Sequence, residues 1–363
     1  MTDIPIPRSP VELTAEWLSS VLADSVGLTP NIASVAVGPI GTGQTAATYR
    51  LSVTYGDPAP ELDRTFVVKL ASQDPAVRDR VALGCRSEVA FYETIAATVR
   101  IPLPTCYYSA IADEGARFVL LLSDLAPSTQ GDQIAGCTPK AARSAVVALA
   151  GLHGPRWCDP EWSAVTGIVM SKPDDSSARG LGEITRIAID KLLGALDSRL
   201  TPACRDVLDS FPESVADWLL LRPERFSILH GDYRLDNIMF SPDEDEVHIV
   251  DWQTTAVGLP ARDLSYFVAT SLSPVQRREQ EHALVEAYHT ALLAEGVAGY
   301  GIDSCFEDYR IGLLQAPMIA ALGWAFSAAT DRGDEMMIAM VERASTAINE
   351  LETLPLIGRL ADA

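Results

Sequence analysis

The stretch "SILHGDYRLDNIMF", Ser227 to Phe240, constrains the fold of this chain more than any other. Its flanks, Ile228 and Leu229 on one side and Ile238, Met239 and Phe240 on the other, are apolar enough for a core. Its middle holds His230, Asp232, Arg234, Asp236 and Asn237. Burying so many polar and charged groups is costly unless they are paired or bind a metal. Two short strands around a loop resolve the conflict, because the apolar ends anchor while the polar middle faces a cleft. A third strand, within "VHIVDW", follows the acidic turn "SPDEDE" and brings Asp251 to its end.

Carboxylate and amide oxygens presented together suit Mg²⁺, which prefers hard oxygen ligands and takes few from protein. Asn237 and Asp251 offer such oxygens, which leaves Asp232 to accept a proton from an attacking hydroxyl. The order H-x-D-x-x-x-x-N, then a strand-terminal Asp, is the phosphoryl-transfer layout of kinase-fold enzymes. Alone, an Asp-to-Asn spacing recurs by chance, and loop aspartates commonly form turns. Upstream residues make the pattern specific. Lys69 sits inside the apolar strand "FVVKLA", where a lysine needs an anionic partner, and Glu88 lies on the next predicted helix, "RSEVAFY". A strand lysine paired with a helix glutamate while touching nucleotide phosphates is a kinase arrangement. "GPIGTGQT" supplies Gly38, Gly41 and Gly43, which let backbone N–H groups approach phosphate. It lacks the Lys-Ser/Thr of a Walker loop, which argues against a P-loop NTPase.

The rest of the chain supplies the frame. Strands are expected at 31–37, 47–55 and 65–72, a helix at 86–99, then strands at "TCYYSAIAD" and "RFVLLLSDL". Ser9, Pro10 and Glu12 read as a capping-box helix start, and so do Thr138-Pro139 and Ser273-Pro274 with Gln276. After Thr138 helical patterns dominate. The expected fold is α+β and bilobal: a small β-rich lobe over 1–122, a hinge over 123–127, and a larger, mainly helical lobe over 128–363. In the hinge, backbone groups of Ser123 to Leu125 are placed to bind adenine. "LLQAPMIAALGWAFSAA" is broken by Gln315, Pro317 and Gly323, so it reads as a buried helix, not a membrane span. The six scattered cysteines form no C-x-x-C pair and fit reduced thiols. "MTDIPIPRSP" has no signal-peptide pattern, and the expected location is cytoplasmic. A net charge of -21 argues against nucleic-acid or anionic-membrane partners.

These motifs, running from Gly38 to Asp263, resemble the aminoglycoside phosphotransferase / choline kinase superfamily, small-molecule kinases with a protein-kinase-like fold. "HGDYRLDNIMF" is similar to the kinase-like domain of some acyl-CoA dehydrogenases. "VDWQTTAVGLPARDLSYF" and "LAGLHGPRW" resemble ecdysteroid-kinase-like and choline-kinase-like branches. The resemblance implies ATP and Mg²⁺ as cofactors and a small-molecule hydroxyl as acceptor. It makes Asp232 the base, Asn237 and Asp251 the metal ligands, and Lys69 the phosphate-holding lysine braced by Glu88. Gly41 and Gly43 would approach the phosphates, and Asp263 would brace the loop. Arg234 either neutralises the transferred phosphoryl group or forms a structural ion pair with Asp236. No A-P-E segment is present, so no protein substrate is expected. Two alternatives remain: a nucleotide-binding regulator on the same fold, and a metal-dependent phosphoesterase using His230, Asp232 and Asp251. The second leaves Lys69 and Glu88 without a role. Met318, Leu322, Trp324 and Phe326 are expected to wall an apolar acceptor pocket, which favours an apolar alcohol over a polycationic aminoglycoside.

Overall fold

The computed structural model describes residues 4–40, 46–59, 61–326 and 330–362. A helix, α1 (Ala15–Val26), precedes β1 (Ile32–Pro39), β2 (Ala46–Tyr55) and β3 (Thr65–Ala71). Then come α2 (Pro75–Ala90), β4 (Cys106–Ala112) and β5 (Arg117–Ser123). The strands form one antiparallel sheet in the order β1-β2-β3-β5-β4. Alternation along β3 buries Phe66, Val68 and Leu70 against α1 through Trp17, Leu18, Val21 and Leu22. The opposite face carries Val67 and Ala71, which pack with Cys85 and Val89 of α2. Lys69 shares that parity and therefore points towards α2.

Two helix boundaries differ from those expected. The N-cap of α1 is Thr14, whose hydroxyl accepts from Trp17 N at 3.2 Å. Ser9 precedes only a short 3₁₀ turn, Pro10–Glu12, without a side-chain cap. Helix α2 begins at Pro75, well before 86, and continues past Ala90 as a π turn (Phe91–Ile95) and a 3₁₀ turn (Ala96–Thr98). Its first half, "PAVRDRVALG", has little apolar periodicity, and Gly84 reads as a breaker. Here Gly84 serves close packing: a Cβ there would sit 3.1 Å from the Cβ of Gln253.

The remaining chain is mostly helical, with short strands inset: β6 (Thr129–Gln130), α3 (Pro139–His153), α4 (Asp175–Leu196), α5 (Pro202–Ser210) and α6 (Val215–Leu220). Next are β7 (Ser227–Leu229), β8 (Ile238–Phe240), β9 (Val247–Ile249), β10 (Ala256–Gly258), α7 (Ala261–Ser271) and α8 (Pro274–Ala294). The chain continues through α9 (Ile302–Gly312), α10 (Gln315–Phe326), α11 (Asp331–Glu350) and α12 (Thr353–Ala361). Thr138 caps α3, and Ser273 with Gln276 closes a capping box on α8, as their sequences predict. Helix α7 is buried along its whole length and is the hub of the large core. All six cysteines are free thiols. Among the described residues no helix is long and apolar enough to cross a membrane. Met318 of α10 is core, so it lines no pocket, whereas Phe326 at the helix end is exposed.

Candidate active site

The polar island lies on the loop between β7 and β8. Gly231 adopts φ +83°, and a Cβ there would meet the Thr254 carbonyl oxygen at 2.2 Å. Only glycine fits so tight a turn. Asp263 of α7 receives the amides of His230 (2.7 Å) and Gly231 (3.0 Å) on its two carboxylate oxygens. Gln315 of α10 donates to Gly231 O at 2.8 Å, and the Thr254 hydroxyl donates to His230 O at 2.9 Å. His230 packs between Tyr233 and Trp252. Its Nε2 bonds Val250 O at 3.1 Å, and its Nδ1 accepts from Asp232 N at 3.3 Å. Both ring nitrogens are thus engaged with backbone, which makes His230 a brace and removes it as the metal ligand that the phosphoesterase alternative needs.

Asp232 is 19% exposed at its side chain and is held by three donors. The Tyr266 hydroxyl bonds Oδ1 at 2.7 Å, while Arg234 Nε and Asn237 Nδ2 each bond Oδ2 at 3.0 Å. Arg234 also pairs with Asp236 at 3.0 Å, and its Nη1 lies 2.9 Å from Met336 Sδ on α11. The ion pair with Asp236 expected as one reading of Arg234 is therefore present, extended to Asp232. Burial disfavours its charge, but Asp232 and Asp236 outweigh that and hold it protonated.

Asn237 also donates Nδ2 to Asp232 O at 2.9 Å, which leaves its Oδ1 unbonded among the described residues. The β8–β9 register pairs Ile238 with Ile249, and Val250 N bonds Asn237 O at 3.0 Å. This pairing brings Asn237 beside Asp251. Asp251 sits at φ +69°, with its side chain 36% exposed and its buried Oδ1 without a hydrogen bond among the described residues. Lys69 Nζ bonds Glu88 at 2.6 Å and lies 3.5 Å from that Asp251 Oδ1. Burial lowers the lysine's affinity for its proton, but Asp251 and Glu88 reverse this and hold it well above the ordinary range. The unbonded amide oxygen of Asn237 and the carboxylate of Asp251, whose Oδ1 meets only the lysine at ion-pair distance among the described residues, are hard donors of the kind that fit Mg²⁺. No group of three or more His, Cys, Asp or Glu side chains suited to a metal occurs among the described residues, so the softer, fuller set of a zinc site is absent there.

At the expected hinge the backbone amides are unequally engaged. Ser123 N donates to Thr105 O at 2.8 Å, and the Ser123 hydroxyl accepts from Thr105 N at 2.9 Å. The Ser123 amide is thus engaged within the sheet, whereas the Leu125 amide makes no hydrogen bond among the described residues. Gly41 and Gly43 lie outside the described residues. Asp124, between the two hinge positions, pairs with Arg50 of β2 at 2.7 Å. Burial raises its carboxyl, but Arg50 and the Ala126 amide more than compensate and lower it.

Several site residues have no signal in the island itself. Gln253 approaches Glu88 Oε2 at 3.5 Å, Ser87 bonds Trp252 O at 3.0 Å, and Phe91 stacks on Trp252 at 3.6 Å. These contacts fasten α2 to the strand end bearing Asp251. The Gln133 Oε1 accepts from Leu235 N at 2.8 Å, and the Gln133 backbone N–H donates to Asp236 Oδ1 at 3.0 Å. Tyr266 lies three residues after Asp263 in "ARDLSYF", one helical turn along the same face, which is a signal only once Asp263 is anchored to the loop.

A family model described as the Phosphotransferase enzyme family matches residues 37–300. A stretch of 58 residues is 40% identical to acyl-CoA dehydrogenase family member 10 of Mus musculus, covering 15% of this chain and 5% of that protein. A stretch of 60 residues is 35% identical to acyl-CoA dehydrogenase family member 11 of Homo sapiens, covering 15% and 8%. The similarity thus spans only a small part of those relatives. In fold, the chain is similar to a putative aminoglycoside phosphotransferase from Ralstonia eutropha, with a TM-score of 0.53 at 18% identity, covering 92% of this chain and 97% of that one. It is also similar to a Plasmodium vivax ethanolamine kinase, with a TM-score of 0.53 at 12% identity, covering 90% and 86%.

Proposed function

The chain belongs to the Phosphotransferase enzyme family, and from that premise we propose that it transfers the γ-phosphoryl group of ATP to a hydroxyl of a small molecule. One observation carries the reading. The Lys69–Glu88 pair with Asp251, and Asp232 with Asn237, come from four separate stretches of chain, and the Val250 N to Asn237 O bond sets the two groups side by side. Lys69 would orient the α- and β-phosphates, held in place by Glu88, and the Leu125 amide would meet the adenine edge. Asn237 Oδ1 and Asp251 would hold Mg²⁺, which when bound neutralises charge on the phosphates. Asp232 takes the acceptor's proton, and Arg234 beside it offers positive charge to the transferred group. Such a site works mainly by positioning and charge neutralisation, because a loose phosphoryl transition state needs little covalent help.

The acceptor would approach Asp232 on the side where Arg234 and Met336 of α11 lie against it. Three nearby carboxylates are already engaged. Asp236 pairs with Arg234 and Arg332, Asp334 accepts from Trp324 Nε1 at 2.7 Å, and Asp132 faces Arg332 at 3.9 Å. Those pairings reduce the negative charge offered to a polycation and favour an uncharged or apolar alcohol. The test is ADP release from Mg·ATP that depends on an added acceptor, comparing kanamycin-like polycations with lipophilic and hydroxyacyl alcohols. Asp232→Asn should keep Mg·ATP binding and lower turnover roughly 10²–10⁴-fold. Near-normal turnover in that variant would remove Asp232 from its role.

A further inference from the structure

The two carboxylate oxygens of Asp232 are not equivalent. Among the described residues, Oδ2 accepts from Arg234 Nε and from Asn237 Nδ2, whereas Oδ1 accepts only from the Tyr266 hydroxyl. Each carboxylate oxygen has about two lone-pair sites, so Oδ2 is filled and Oδ1 keeps one free. We propose that Tyr266 is a positioning residue that locks the Asp232 carboxylate so that Oδ1, and not Oδ2, takes the acceptor's proton. This inference rests on the reading of Asp232 as the base.

Tyr266 is 1% exposed and lies behind the carboxylate, so it is placed to act on Asp232 and not on the acceptor. Burial, and then the neighbouring Asp232, push its phenol well above the ordinary tyrosine range, so it stays a donor. Its place is fixed by α7, which also carries Asp263. That one helix therefore holds the loop backbone through Asp263 and the loop's reactive side chain through Tyr266. A carboxylate held only at Oδ2 could swing about its Cβ–Cγ bond and offer either oxygen. The third contact removes that freedom, in keeping with the preorganisation that such positioning requires.

In the step itself the acceptor O–H bond breaks and its proton passes to Oδ1. The acceptor oxygen bonds the γ-phosphorus, and the bond from that phosphorus to the β–γ bridging oxygen breaks, leaving its electron pair on ADP. Tyr266 keeps its proton throughout. The charged and titratable groups facing the carboxylate are Arg234 and Asp236 from its own loop, His230 at its backbone amide, and Tyr266 from α7.

The test uses the whole protein with Mg·ATP and water as the phosphoryl acceptor, so no identified substrate is needed. ADP formation is followed for wild type, Tyr266→Phe and Asp232→Asn, with Mg·ATP affinity from calorimetry and stability from urea unfolding. Tyr266→Phe removes the hydrogen bond that fixes Oδ1, so the carboxylate is free to turn away from the acceptor. We expect unchanged Mg·ATP affinity and stability within about 1 kcal/mol of wild type, with a rate about 3–10-fold lower. A 3-fluorotyrosine at position 266 keeps both the shape and the donor, and should restore the wild-type rate. Equal rates for wild type and Tyr266→Phe, with Asp232→Asn inactive, would overturn the inference and leave the base assignment standing. A near-normal rate in Asp232→Asn would overturn the base assignment, and the inference with it.

Discussion

Replacing Glu88 by Gln keeps the shape of a side chain that is 1% exposed but deletes the carboxylate 2.6 Å from Lys69 Nζ. The lysine is itself only 13% exposed and cannot recover its lost partner from water. Breaking a buried pair from one side typically costs about 3–5 kcal/mol, because the remaining charge is left uncompensated. Here Asp251 stays 3.5 Å away and keeps part of the attraction. The loss should therefore sit at the low end, about 3 kcal/mol, read as a shift of the urea midpoint at unchanged slope. Lys69 should then lean towards Asp251, weakening both the proposed phosphate contact of the lysine and the proposed hold of the carboxylate on metal, so Mg·ATP affinity should fall together with stability. The double variant Lys69→Met/Glu88→Leu separates the two effects. Well-packed apolar pairs often replace buried ion pairs without loss, and Asp251 is exposed enough to be hydrated. That variant should regain most of the stability while remaining unable to transfer phosphate. A Glu88→Gln protein within about 0.5 kcal/mol of wild type would refute the buried-charge argument. Near-normal turnover in the double variant would remove the pair from the site.

Asp251→Ala should abolish Mg²⁺-dependent nucleotide binding while the fold survives, since Lys69 keeps Glu88; equal Mg·ATP affinity by calorimetry would contradict this. Gly231→Ala forces a Cβ to 2.2 Å from Thr254 O at a positive φ. It should cost roughly 2–4 kcal/mol in urea unfolding and misalign Asp232, and an unchanged midpoint would count against that packing. Asp124 titrates lower in the folded chain than in the unfolded one, so its contribution is present above the unfolded value and lost as pH falls through the folded one. Thermal unfolding of Arg50→Met should therefore differ from wild type near neutrality, and the two should converge only as pH falls from about 4 through the lower folded value. A constant gap across that range would show that Arg50 acts through packing instead.

Much of the site is legible in the sequence because its signals are local. The apolar flanks of "SILHGDYRLDNIMF" announce two strands around a loop, and a lysine inside "FVVKLA" demands a buried anion. Proline after Thr138 and Ser273 marks helix starts through backbone chemistry that needs no distant partner. Each of these depends on residues a few positions apart, where covalent geometry alone sets the spacing. The beginning of α2, the approach of Gly84 to Gln253, and the grip of Tyr266 on Asp232 follow another rule. Gln253 and Glu88 are separated by 165 positions and Tyr266 and Asp232 by 34, and those spacings carry no distance. Ser123 shows the same divide: its sequence offers a hinge amide, but sheet register had already joined that amide to Thr105. The choice of chemistry was written in residue types and local order. The aim of each group was decided by packing, because hydrogen bonds and ion pairs act over a few ångströms and only the folded core brings such distant residues that close.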